Sequence, residues 1–263
     1  MTLYAVIGSA GLIIRDVGYY WLVFLAFILG RYFVMVGGAF WLFSSVLGIS
    51  QQFQAISRAR RWQLIRHDIA LSVSSAFLFA FLAALIMSAY KAGGTRLYSS
   101  VAEHGWGYLG LSFLAILVLQ DTYFYFTHRL LHQPRFFRRI HQGHHRSKIP
   151  TPWTSFAFEL SEAFIHGIFF VGLVYVMPLH FITLTAVFLA MTLWAIATHL
   201  GFELVSPSFL QPWLGRGLIG PVHHAIHHHQ HQLHFGLYFT FWDRILGTTD
   251  PTYIEKYGLK QRR

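Results

Sequence analysis

His223-His-Ala-Ile-His-His-His-Gln-His-Gln-Leu-His-Phe-Gly236 is the stretch on which the reading of this chain turns. Seven of the 17 histidines fall between positions 223 and 234, and their spacing says more than their density. His224, His227 and His228 form His-x2-His-His, which a helix projects from adjacent turns of one face. An affinity tag or a low-complexity metal-binding tract needs no such spacing. The same grouping stands 83 residues earlier, at His141, His144 and His145. A repeated, spaced imidazole motif points to a built metal site.

The surrounding composition says where that site resides. Only 11% of the 263 residues are charged, against about a quarter in soluble domains, so the chain reads as an integral membrane protein. Its 26 Phe, 13 Tyr and 8 Trp suit lipid contact and interfacial belts. The net charge of +10 is carried by cations clustered between apolar segments. That is the pattern of loops beside anionic headgroups and not of a nucleic-acid-binding surface. With no cysteine, disulfides, thiolate metal sites, iron–sulfur ligation and thiol nucleophiles are excluded, so any metal takes nitrogen and oxygen ligands. Arg15 and Asp16 interrupt the first apolar run, and no secretory signal is evident.

Along the chain, residues 1–14 are short and apolar enough to lie at the membrane surface. Residues 19–49 are apolar except for Arg31, which stands either deep in one tilted span or at an interface if the chain breaks near Gly30. The loop 51–67, with Arg58, Arg60, Arg61 and Arg66, is cytoplasmic by the positive-inside rule. Ile69–Tyr90 is a full apolar span, residues 91–106 face the opposite side, and Gly107–Thr127 crosses back. Asp121, Tyr125, His128 and His132 then share one helical stripe, whose polar groups demand a polar interior. The next loop is again basic, with Arg135, Arg138, Arg139, Arg146 and Lys148. Two apolar runs, 163–177 and 181–198, hinge at Pro178 and read as a tight hairpin that need not cross fully. No linker and no repeat beyond the doubled histidine grouping is visible, so residues 1–263 read as one domain.

This topology brings His128, His132, His141, His144, His145, His199, His223, His224, His227 and His228 to one membrane face. Taken singly, each piece has a plain structural reading, such as a helix-end histidine or a headgroup-binding patch. Their convergence does not.

With H-R-L-L-H at 128–132, H-Q-G-H-H at 141–145 and H-H-A-I-H-H at 223–228, the chain resembles the fatty acid hydroxylase / sterol desaturase superfamily. The likeness covers roughly 107–253. It includes T-P-W-T-S-F-A-F at 151–158, H-L-G-F-E at 199–203 and G-L-Y-F-T-F-W-D-R-I-L-G-T at 236–248. The resemblance implies an all-α integral membrane bundle of about four spans and hairpin helices, with a cytoplasmic histidine-rich helical cap holding a dimetal site. Its metal ligands fall on His128, His132, His141, His144, His145, His199, His224, His227 and His228. His223 matches a histidine often present just before the last box. Where relatives usually carry Asn, this chain has His234, followed by Phe235 and Gly236. Asp121, Glu159, Glu162, Glu203 and His234 are candidate supporting residues, and either Glu159 or Glu162 could orient a ligand histidine through its second ring N–H. His229 and His231 fall at positions not fixed in the family.

Nine or ten imidazoles exceed the coordination of one ion, so two are implied. Nitrogen ligation suits iron, zinc or copper. The resemblance favours two irons activating O2, with zinc as an alternative occupant of isolated protein. The expected activity is hydroxylation or desaturation of an unactivated C–H in a fatty acyl, sterol or related lipid. Hydroxylation is preferred, because loss of a second hydrogen demands stricter alignment. No dinucleotide-binding glycine motif is present, so electrons come from a ferredoxin or cytochrome with its reductase. The host is a bacterial inner membrane or the ER membrane. A membrane zinc hydrolase is the first rival, although the His-Glu-x-x-His pattern with its carboxylate base is absent. A non-enzymatic metal-binding or transport protein is the second. Transport places polar ligands near mid-membrane, where only Asp121 and His166 fall.

Overall fold

Apolar helices set the frame. In a computed structural model the described residues are 3–44, 51–200 and 217–252, with the backbone alone described for 3–14, 51 and 52. The helices are α1 (Leu3–Leu42), α2 (Gln51–Gln54), α3 (Arg58–Lys91), α4 (Gly105–Leu131), α5 (Pro134–Ile140), α6 (Leu160–Val176), α7 (Phe181–Thr198), α8 (Pro221–His229) and α9 (Phe241–Ile245). Four are long and apolar enough to cross a membrane, namely α1 from Arg15, α3, α4 and α7; α6 is a shorter apolar helix. Their outward faces carry exposed Leu22, Phe27, Leu111, Leu114, Leu189 and Leu193, as lipid contact requires.

Sequence chemistry accounts for the ends. The Ser57 side chain accepts the Arg60 N–H and starts α3. Pro134 opens α5 and Pro221 opens α8, where a missing N–H costs nothing.

The first helix decides between the two readings left open for Arg31. It runs unbroken from Leu3 through Gly30 to Leu42, so residues 3–14 belong to the same helix, whose candidate span begins at Arg15. Arg31 is half-buried and turns toward protein, donating to the Phe188 carbonyl at 3.3 Å with its guanidinium 5.9 Å from the Phe156 ring centre. Helices α1 and α3 pack antiparallel, tied by Trp21 Nε1–H to the Phe77 carbonyl (3.0 Å) and by the Lys91–Asp16 ion pair (2.7 Å).

The hairpin of α6 and α7 also reaches further than expected. Its turn, Leu179–His180, pairs in parallel with Leu97–Tyr98, the segment between α3 and α4. The His180 Nε2–H donates to the Ser99 carbonyl at 2.9 Å while Nδ1 accepts the Ile182 N–H at 3.0 Å. The turn therefore lies level with the ends of the long spans, and both hairpin arms traverse the bundle. Below it Leu97, Ile116, Leu173, Val174, Leu179 and Val187 form a buried apolar cluster. At the opposite end a smaller apolar cluster of Tyr32, Val36 and Ile196 packs against Trp153 and Phe156, and among the described residues no apolar cluster fills the space between α4, α8 and the 141–146 segment. Histidines do.

Candidate metal centre

Nine imidazoles gather in two groups. His128, His132, His141, His145 and His227 form the first lobe; His144, His199, His224 and His228 form the second. Within each, one ring nitrogen per residue lies within 4.8 Å of the others.

Helical geometry explains the division. Residues four apart lie on one stripe, whereas neighbours in sequence diverge by 100°. On α8, His224 and His228 therefore enter the second lobe together, and His227 swings to the first. The earlier box mirrors this: His141 and His145 enter the first lobe and His144 the second. That box is not a regular helix, because α5 ends at Ile140 and His144–Arg146 is a 3-10 turn. Each box is thus shared between the two lobes.

Hydrogen bonds at the outer ring nitrogens fix which way the lone pairs face. The His128 Nδ1–H donates to the Phe235 carbonyl (3.0 Å), that of His227 to the Leu233 carbonyl (2.7 Å) and that of His199 to the Ala195 carbonyl (2.7 Å). His141 Nδ1 lies 2.7 Å from Glu162 Oε1, and the carboxylate is fully buried. In each neutral ring the inward Nε2 is then a bare lone pair. Yet His128 Nε2 and His141 Nε2 stand 3.1 Å apart, with His145 Nε2 3.0 Å from His141 Nε2. In the second lobe His224 Nε2 is 3.0 Å from His199 Nε2 and 3.1 Å from His228 Nε2. At His128 and His141, where both inward nitrogens are bare, two lone pairs facing at this distance repel unless a cation lies between them. Both ring nitrogens of His132, and Nε2 of His227, are likewise buried without a hydrogen-bond partner. The donor set fits metal ions.

Burial pushes His141, His144, His145, His224, His227 and His228 well below the usual imidazole range, and neighbouring imidazoles add to the effect. They are neutral at neutral pH, the form that ligates.

His223 stands outside both lobes. Its Nδ1 accepts the Gly220 N–H at 3.1 Å, which leaves the neutral ring's proton on Nε2, and it packs against His234 with ring centres 4.8 Å apart. His234 is buried, adopts φ 56° and accepts the Asp250 N–H at Nε2 (3.1 Å). Asn, Asp and His are the residues that tolerate this left-handed backbone, which is a physical reason for Asn and His to exchange there.

The candidate supporting residues separate. Glu162 meets His141. Asp121 touches no lobe histidine; its Oδ1 instead accepts the N–H groups of Leu237 (3.1 Å), Tyr238 (2.7 Å) and Phe239 (3.0 Å). Glu159 packs over Gly143 between the second-box histidines. Glu203 lies outside the described residues.

Sequence reasoning missed two buried acids. Asp243 accepts the N–H groups of Phe235 (2.8 Å) and Gly236 (2.9 Å) and the Thr248 hydroxyl (2.7 Å), holding the carbonyl that orients His128. Asp68 accepts Ser147 (2.8 Å) and Thr154 (2.7 Å), anchoring the chain after the second box. Their signal was visible in both cases: a lone acid at the margin of an apolar segment.

Membrane-length helices capped at one end by a two-lobed imidazole cage define a membrane protein of the histidine-box type. The chain belongs to the fatty acid hydroxylase family, whose model matches residues 113–248 and so contains every histidine of both lobes. It is similar to a Delta(7)-sterol 5(6)-desaturase of Gibberella zeae, 27% identical over 71% of this chain and 57% of the relative. Lathosterol oxidase of Homo sapiens is 29% identical over 94% of this chain and 77% of its own. The Mus musculus lathosterol oxidase is 33% identical over 63% of this chain and 55% of its own, so the chain spans only about half to three quarters of these relatives. No solved structure matches the chain significantly.

Proposed function

We propose that the protein is a membrane-bound, O2-dependent lipid oxidoreductase that inserts oxygen or a double bond at an unactivated C–H of a sterol or related lipid. The observation that carries the reading is the convergence of nine buried ring nitrogens in two lobes, with the lone pairs of His128 and His141 opposed and each set by a hydrogen bond on the far side of its ring. His128, His132, His141, His145 and His227 would hold one iron, and His144, His199, His224 and His228 the other. Bound iron supplies the O2 activation that side-chain acid–base chemistry cannot.

The chain's own residues do the rest. Glu162 and the carbonyls of Phe235, Leu233 and Ala195 hold four imidazoles in one tautomer and orientation. The lobes stand at the end of apolar helices, so a lipid reaches them from the bilayer side with water excluded. The relatives' names, desaturase and lathosterol oxidase, favour desaturation over the hydroxylation preferred from sequence. The basic loops around Arg58–Arg66 and Arg135–Lys148 support a cytoplasmic placement of the cage.

The test is metal analysis of protein purified without added metal, combined with lipid mass spectrometry of cells with and without the gene. Iron, O2 consumption and a lipid changed by two or sixteen mass units are expected. Zinc with no O2-dependent product would overturn the reading.

A further inference from the structure

Oxidation of a C–H by O2 needs two electrons from outside: hydroxylation consumes O2, two electrons and two protons to give the alcohol and one water, and desaturation consumes the same to give the alkene and two waters. The cage is buried, so those electrons need a defined approach. From the solvent side, two surface clefts open beside the first lobe, one reaching His132 and the other His145, and His231, Phe137 and Arg138 line both. The His231 ring is half-buried, with its centre 4.5 Å from that of His145 and 5.8 Å from that of His132. Phe137 packs on His231 at 4.9 Å and on His145 at 5.6 Å. At most one layer of rings therefore stands between solvent and these two first-lobe histidines, which themselves line the clefts.

The rim of this layer is basic. Arg138, Arg146 and Lys148 line the clefts and are exposed, and Arg135 and Arg139 are exposed on the same short helix. Among the described residues, carboxylates near the cage do not offset them: Asp68, Glu162 and Asp243 are buried, while Asp16 pairs with Lys91 away from the cage. Among the described residues, Glu159 is the one acid lining either cleft.

We infer that the Phe137–His231 face, ringed by Arg138, Arg146 and Lys148, is the docking surface for a small acidic electron-carrier protein. This rests on the proposed oxidoreductase activity and names where its electrons enter. A carrier seated there brings its redox centre over Phe137 and His231, next to His132 and His145. Charge complementarity steers such short-lived complexes and governs their rate more than their lifetime. Anionic lipid headgroups are the other acidic species this rim could meet.

The experiment uses the full chain in neutral phosphatidylcholine nanodiscs and an acidic [2Fe–2S] ferredoxin as the probe. Stopped-flow oxidation of the reduced ferredoxin by iron-loaded protein is compared for wild type, Arg138→Glu/Lys148→Glu and the control Arg58→Glu/Arg60→Glu. Binding of ferredoxin to the same metal-free proteins is measured in parallel. The expected result is a bimolecular rate and a metal-free affinity lowered about tenfold or more in the first variant alone, with the wild-type advantage lost at high salt. Reduction by dithionite stays equal in all three. Equal rates and affinities, equal losses in both variants, or recovery of the first variant on anionic discs would each overturn the proposal. Should dithionite reduce no variant, the oxidoreductase reading fails instead, and the metal-free binding arm still judges the surface. Arg138→Gln/Lys148→Gln repeats the comparison without charge reversal should the first variant misfold.

Discussion

Glu162 shows how much one buried side chain carries. Its carboxylate has no solvent to fall back on and meets the His141 ring N–H at 2.7 Å, so it holds that lone pair on the cage. Glu162→Leu should weaken retention of first-lobe metal by about 10–100-fold, and Glu162→Gln, which keeps an acceptor oxygen, by less. Competition with a chelator of known affinity measures it; undiminished retention in the leucine variant would remove the orienting role. His234 makes a second residue-scale case. At φ 56° a β-branched side chain costs about 1–2 kcal/mol, so His234→Val should lower the unfolding midpoint while His234→Asn leaves it within a few degrees. Thermal unfolding in one detergent compares them, and equal midpoints for Val and Asn would show that the backbone is not what selects the residue.

At the scale of the element, the boxes behave as crossed pairs. His144 stands between His141 and His145 in sequence but belongs with His199, His224 and His228 in space. His144→Ala and His224→Ala should therefore remove metal from the same lobe, each losing about half of the bound metal, whereas His227→Ala should share the spectrum of His141→Ala. Metal content and spectra of the four variants decide it; a pairing of His144 with His145 would refute the shared-box arrangement. The supporting loop makes a parallel case. Removing the Asp121 carboxylate leaves the N–H groups of Leu237, Tyr238 and Phe239 without their acceptor, so Asp121→Ala should cost more than about 2 kcal/mol and loosen the adjoining Phe235 carbonyl that orients His128. Asp121→Asn, with one oxygen kept, should fall between.

These elements also show what was legible in the sequence. The spans were readable because lipid imposes length and apolarity on consecutive residues, as in Ile69–Tyr90, which α3 contains. The histidines were readable because their spacing repeats. The division between lobes was not, since i+3 and i+4 look alike in sequence until a partner occupies each side of the helix. Asp68 and Asp243 were visible as lone acids at the margins of apolar segments, but their roles were not. A lone acid reveals its role only when backbone N–H groups or hydroxyls distant in sequence are brought to it. The place of His223 was not legible either, because adjacency to the box says nothing about which ring nitrogen the Gly220 N–H has claimed.

For the whole molecule, one arrangement follows from the pairing of Leu97–Tyr98 with Leu179–His180: the turn of the α6–α7 hairpin and the α3–α4 connection share a membrane face, with the cage on the other. The absence of cysteine makes this directly measurable, because a single introduced thiol has no background. Ser100 is exposed beside the paired segment, and Gln142 is exposed on the second-box loop. In intact cells or sealed right-side-out vesicles, a membrane-impermeant maleimide should label Ser100→Cys and spare Gln142→Cys, and inverted vesicles should reverse the pattern. The direction depends on the basic loops lying in the cytoplasm, while the opposition of the two sites depends only on the fold. Labelling of both from one side would mean that α4 does not cross, and a cage approached by lipid from below and by electrons from above could not stand.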